Sequence, residues 1–186
     1  MKTITKHLLI ILLALGSFSL YGQDMHYTQF SDMPVYLNPA FTGHIDGTYR
    51  ARIIYRSQWS SIVPNAFATP GFTLDANIGV GKGGSSFGIG LLALNDQTGD
   101  GVFNTLHGAL SLAYHLALDK DQHHYLSIGA QGGLINKRVN TTDITYGSQF
   151  DGFQINPSVV SNENFENTSV LNPDLGVGLT LSLIHI

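Results

Sequence analysis

The densest charge in this sequence is a row of three guanidinium groups within a short segment. Arg50, Arg52 and Arg56 occupy even positions of the stretch Tyr49–Trp59. A strand period of two puts them on one side. Such a row is either an anion-binding ladder or a set of internally neutralised charges. A carboxylate on a neighbouring strand, for example Asp75, would offset the desolvation of both partners, and internal pairing is the favoured reading. The histidines offer less. His107 and His115 share a face but stand eight residues apart, about 27 Å along a strand, so they cannot share a metal. His123 and His124 have no further His, Asp or Glu at zinc-ligand spacing. Asp96–Gly101 echoes half of a calcium loop, but His107 stands where the bidentate Glu belongs. Gly88-Ile89-Gly90-Leu91-Leu92-Ala93 fits a dinucleotide fingerprint in letters only, since two-residue alternation runs through it and no helix opens there. No Ser/His/Asp arrangement is arguable from spacing. The expectation is a protein with no catalytic residues, no metal and no cofactor.

Strands must position these groups. Opposite the arginines, the odd positions of the first segment are Tyr49, Ala51, Ile53, Tyr55, Ser57 and Trp59. Five further segments alternate in the same way: Gly71–Val80, Ser86–Leu94, Thr105–Leu118, Tyr125–Asn136 and Asp174–Leu183. One face of each is aliphatic or aromatic. The other carries Gly, Ser, Thr, Asn, Asp and Gln rather than Lys and Glu. A solvated sheet face would be charged, whereas a crowded lumen suits small polar groups. Each segment is close to the roughly 10-residue alternating unit of a transmembrane β-strand. Charged residues make up only 12% of the chain, about half the usual share, and no apolar run reaches the roughly 18 residues of a spanning helix.

The connections read short, long, short, long: Gly81–Ser85 and Asp119–His124 are turns, Ser60–Pro70 and Asn95–Phe103 are longer, and Lys137–Pro173 is the longest. Outer-membrane barrels alternate tight periplasmic turns with extended external loops, which places the N-terminal lead-in on the periplasmic side. The fold class expected is therefore all-β, an antiparallel up-and-down transmembrane β-barrel. Six strands are fewer than the roughly eight of the smallest bacterial barrels, so the reading expects a C-terminally truncated fragment. Tyr49, Tyr55 and Trp59 are the expected interfacial aromatics.

Residues 1–22 have the order of an export signal, with Lys2 and Lys6, an apolar run Leu8–Leu15, and Gly22 before Gln23. No cysteine is present, which excludes disulfides and a lipid anchor on a processed Cys. Two of the nine basic residues lie in this leader, leaving seven against thirteen acidic ones, a balance that argues against nucleic acid as a partner. Residues 23–47 form a lead-in without a clear period, expected to hold one short helical turn, and 48–186 the N-terminal part of one barrel domain. The lead-in motif Tyr36, Leu37, Asn38, Pro39, Ala40 and Phe41 contains a turn set by Pro39, because proline disfavours helix in the residue before it. It either plugs the lumen or contacts a periplasmic partner. In the long external loop Tyr146, Phe150, Asp151, Phe153 and Phe165 are candidates for protein contact.

Specific blocks carry a resemblance. Gln23-Asp24-Met25-His26-Tyr27-Thr28-Gln29-Phe30, and then Tyr36-Leu37-Asn38-Pro39-Ala40-Phe41-Thr42-Gly43, resemble the start of the PorP/SprF family. Tyr55-Arg56-Ser57-Gln58-Trp59 and Gly88-Ile89-Gly90-Leu91 with Asn95-Asp96 are similar to later family blocks, with a weaker return at Asn172-Pro173-Asp174. The resemblance implies an outer-membrane barrel of the type IX secretion system of Bacteroidetes. It also implies work with periplasmic components of the secretion or gliding machinery and with exported surface proteins. Two rivals of other classes are a porin-like solute channel, to which only the arginine row points, and an outer-membrane hydrolase, for which no constellation is visible.

Overall fold

The computed structural model describes residues 27, 29–62, 66–80, 84–99, 102–119, 123–140, 146–150, 152–156, 158–159 and 169–183. Residues 1–22, expected as an export signal, and Asp151 and Phe165 lie outside the described residues. Six strands, β1 (Tyr49–Gln58), β2 (Phe67–Gly79), β3 (Ser86–Thr98), β4 (Phe103–Ala117), β5 (His124–Val139) and β6 (Ser169–Leu183), form one sheet in sequence order. Every neighbouring pair is antiparallel. The all-β, up-and-down architecture is as expected, and β1 and β6 are its two edges among the described residues. No helix of the described residues is long and apolar enough to cross a membrane.

Strict alternation gives this sheet an inverted amphipathicity. Ile53, Leu175 and Val177 are each more than 80% exposed, whereas Thr73, Asp75, Ser111 and His115 on the opposite face are at most 1% exposed. The aliphatic side chains thus point outward and the small polar ones point inward. The inward face is covered by the lead-in, which folds as a 3-10 turn (Phe30–Asp32), a single helical turn α1 (Pro34–Leu37) and a second 3-10 turn (Pro39–Phe41). Proline opens α1 and the second 3-10 turn, where a missing N–H costs nothing. Asn38 is extended ahead of Pro39, as the proline ring demands, and its side chain accepts the Ala40 N–H at 2.9 Å.

Two expectations are corrected. The stretch Asn95–Phe103 is not a long loop: Asn95–Thr98 continue β3 and pair with Phe103–Leu106, leaving a tight turn through Gly99 at positive φ. Both faces are polar there, with Asn104 donating to Asn95 and Thr69 to Asp96, so no hydrophobic alternation announces the strand. The ladder at β2 and β6 likewise begins earlier than the apolar pattern, at Phe67 and Ser169. Pro70 lies inside β2 where the β2–β3 register skips two pairs, and Pro173 lies on the edge strand β6, both positions that tolerate a missing donor. The motif Tyr36–Phe41 has a definite seat in the fold. It packs on the sheet's polar face, with Ala40 and the neighbouring Val35 fully buried.

Candidate functional site

The lead-in crosses the polar face in a groove made by glycines. Cβ atoms added at Gly88, Gly129 and Gly178 would run into Thr42, Pro39–Ala40 and Asn38 respectively, and one at Gly90 would meet the Thr42 side chain at 2.8 Å. At Gly88 and Gly129 backbone therefore lies directly on backbone, a contact that only glycine permits. Gly43 meets the sheet from the other side, at φ +72°, and a Cβ there would sit 2.5 Å from the Gly88 Cα. Gly129→Val is expected to lift Pro39–Ala40 off the sheet at a cost of about 1–3 kcal/mol. Protease cleavage within the lead-in is the readout. Gly108, with nothing within 4 Å of its Cβ position, is the control: Gly108→Ala should leave that cleavage pattern unchanged.

Polar groups fix the crossing. Asp75 accepts from Arg50 Nε at 2.9 Å, from Arg50 Nη2 at 2.6 Å and from the Gly43 N–H at 2.7 Å. Arg50 also donates to the carbonyls of Phe41 (3.1 Å) and His44 (3.4 Å). One ion pair between β1 and β2 is therefore a hub for the lead-in backbone. Its side chains are 17% and 0% exposed. Every donor and acceptor it buries is well matched, which is the condition for such a pair to hold. Further along, Asn77 donates to the Gly43 carbonyl at 2.8 Å and Thr42 pairs with Ser111 at 2.6 Å. His115 Nε2 lies 2.8 Å from the Thr42 carbonyl and Nδ1 2.8 Å from Ser127 Oγ. A carbonyl only accepts, so Nε2 carries the proton, and in the neutral ring Nδ1 accepts from Ser127. His44 lies against His115 and Tyr125. Burial first, and the Arg50 charge second, hold its pKa below the ordinary imidazole value.

A small apolar cluster completes the seat: Tyr27, Met33, Leu92, Leu94 and Ala109, with Tyr36 and Ile54 against it. Burial foremost, with the nearby Asp96 charge adding and Arg56 opposing, pushes the Tyr27 phenol up to about 12. Sequence reasoning missed this cluster and the Thr42–His44 contacts. The available signal was Leu91–Leu94, where both strand faces turn apolar.

The three arginines share the inward face but not one role. Only Arg50 joins Asp75; Arg52 Nη1 lies 3.6 Å from Asp32 with both side chains substantially exposed, and Arg56 bonds the Gln58 side chain. Tyr49 and Tyr55 are exposed on the aliphatic face, whereas Trp59, also exposed, lies just past β1 at positive φ and edge-on to Phe67. His107 pairs with Asp174 at 3.0 Å and is remote from the His115 site. Among the described residues no three His, Cys, Asp or Glu could hold a metal. In the long connection Tyr146 precedes a 3-10 turn (Gly147–Gln149), Phe150 bridges Ile155, and Phe153 is 97% exposed.

This combination, an outward aliphatic sheet with its polar face filled by an N-terminal segment, involves all the blocks described, from Tyr27 to Asp174. A family model described as type IX secretion system membrane protein PorP/SprF matches residues 19–183. No curated protein and no solved structure matches the chain. The family match spans every strand and the whole of the lead-in that covers them, and the chain belongs to the PorP/SprF family of type IX secretion system membrane proteins.

Proposed function

We propose that this protein is an exported outer-membrane β-barrel that serves the type IX secretion or gliding machinery as a non-enzymatic scaffold. In this reading β1–β6 are part of a closed barrel, because an open sheet edge in lipid leaves N–H and C=O groups unsatisfied at several kcal/mol each. The aliphatic face meets lipid, Tyr49, Tyr55 and Trp59 lie at its borders, and the inward face is the lumen. The observation that carries the scaffold reading is the lead-in itself. Residues 29–44 occupy the polar face that a channel would leave open, and they are bonded to β2, β4 and β6.

Periplasmic partners then meet the turn end, where Asp46, Gly47 and Thr48 are exposed. Exported surface proteins meet the long connection, through Tyr146, Phe150, Asp151, Phe153 and Phe165. Deleting 140–168 in the full-length protein is expected to remove surface-protein capture in pull-downs while heat-modifiable gel mobility shows an intact barrel. Loss of solute permeability with every protein partner retained would instead favour the channel reading.

A further inference from the structure

We infer that the lead-in is a strap laid across the polar interior, dividing it into two chambers that open to opposite ends of the barrel. The inference rests on the barrel reading above. Its observation is the level at which each lead-in residue meets the sheet. Tyr27 Oη lies against Gly71, at the level where Ile54, Gly71 and Leu94 are in register, in the half toward the long connection. Pro39 and Ala40 cross Gly129 farther down. Gly43 reaches Ala76 at nearly the level of Gly129, and His44 lies edge-on to Tyr125 at the end where β1 begins. The segment thus starts in the loop half, crosses from β6 to β2 at one level along residues 38–43, and reaches the turn end before entering β1.

A cavity lies on either side of it. On the loop side a space of about 450 Å³ is lined by Tyr36, Pro39, Thr105, His107, Lys137 and Asp174. On the turn side one of about 650 Å³ is lined by His44, Asp46, Ser85, Ser86, His115 and Tyr125. No residue lines both cavities. Between them run Thr42 and Gly43, held by Ser111, Asn77 and the Arg50–Asp75 hub. Two solvent-accessible spaces with a hydrogen-bonded backbone between them are the layout of a closed partition, and breaking the hub should open it.

The chain has no native cysteine, so single cysteines report each chamber cleanly. Full-length Thr105→Cys and Ser85→Cys proteins are reconstituted into liposomes, and a membrane-impermeant sulfonated maleimide is added outside only. Protease clipping of 140–168 identifies the copies whose loops face outward. In those copies Thr105→Cys is expected to be modified and Ser85→Cys protected, with the reverse in inward-facing copies. Adding Asp75→Asn should abolish the protection of Ser85→Cys. Should Asp75→Asn fail to fold, Asn77→Ala, which removes only the partner of the Gly43 carbonyl, gives the same readout. Modification of both cysteines from one side with the hub intact overturns the partition, as does protection that survives loss of the hub in folded protein. Failure to insert into liposomes at all is a separate result, which sinks the barrel reading and the strap with it.

Discussion

Asp75→Ala is expected to destabilise the folded protein by roughly 3–5 kcal/mol, the cost of leaving one member of a buried ion pair without its partner. The substitution strands Arg50, whose side chain is only 17% exposed, and orphans the Gly43 N–H. Arg50 also holds two lead-in carbonyls, so its reorientation loosens the strap as well as the β1–β2 contact. Urea titration of the heat-modifiable band gives the stability change, and protease sensitivity of the lead-in reports its release. The double variant Arg50→Met, Asp75→Leu should recover part of the loss, because removing both charges removes the unpaired one. The Gly43 N–H and the Phe41 and His44 carbonyls then lose the partners that the pair supplied. A loss below about 1 kcal/mol for Asp75→Ala, the level of a solvated surface pair, would show that the hub does not hold the lead-in.

Leu110→Arg separates a membrane sheet from a water-exposed one. Leu110 stands midway along β4, a strand with neighbours on both sides, and is 65% exposed on the aliphatic face. In water a charged side chain at such a position is nearly neutral for stability, within about 0.5 kcal/mol, and improves solubility. At the midplane of a bilayer the same arginine costs about 2–4 kcal/mol. The expected result is less protein in the outer-membrane fraction and less heat-modifiable band. Unchanged assembly would remove lipid from the aliphatic face. Ile54 is the informative comparison. It faces inward, but it packs on the cluster of Tyr27 and Met33 rather than on a polar lumen wall.

Which faces the strands show was determined by residue order alone. Side chains alternate with a period fixed by the backbone, so Arg50, Arg52 and Arg56 were bound to share a side with one another and not with Ile53. The order of β1 to β5 followed as well, because short connections join antiparallel neighbours, whereas the pairing of β6 with β5 spans the long connection. The blocks around Asn38-Pro39-Ala40 carried the family. Strand ends were less legible, since Asn95–Thr98 and Phe67–Pro70 pair through backbone groups that every residue possesses and lack the apolar contrast that marks the middle of each strand.

What covers the polar face lay beyond any local pattern. The glycines of β3, β5 and β6 read as small residues in a crowded interior, but only their alignment across separate strands makes a groove. Only the fold brings Thr42 and Gly43 onto it. Asp75 was a plausible partner for Arg50 from the first. That it also holds the Gly43 N–H depends on residues 32 positions apart in sequence, and a contact of that range exists only once the sheet has formed.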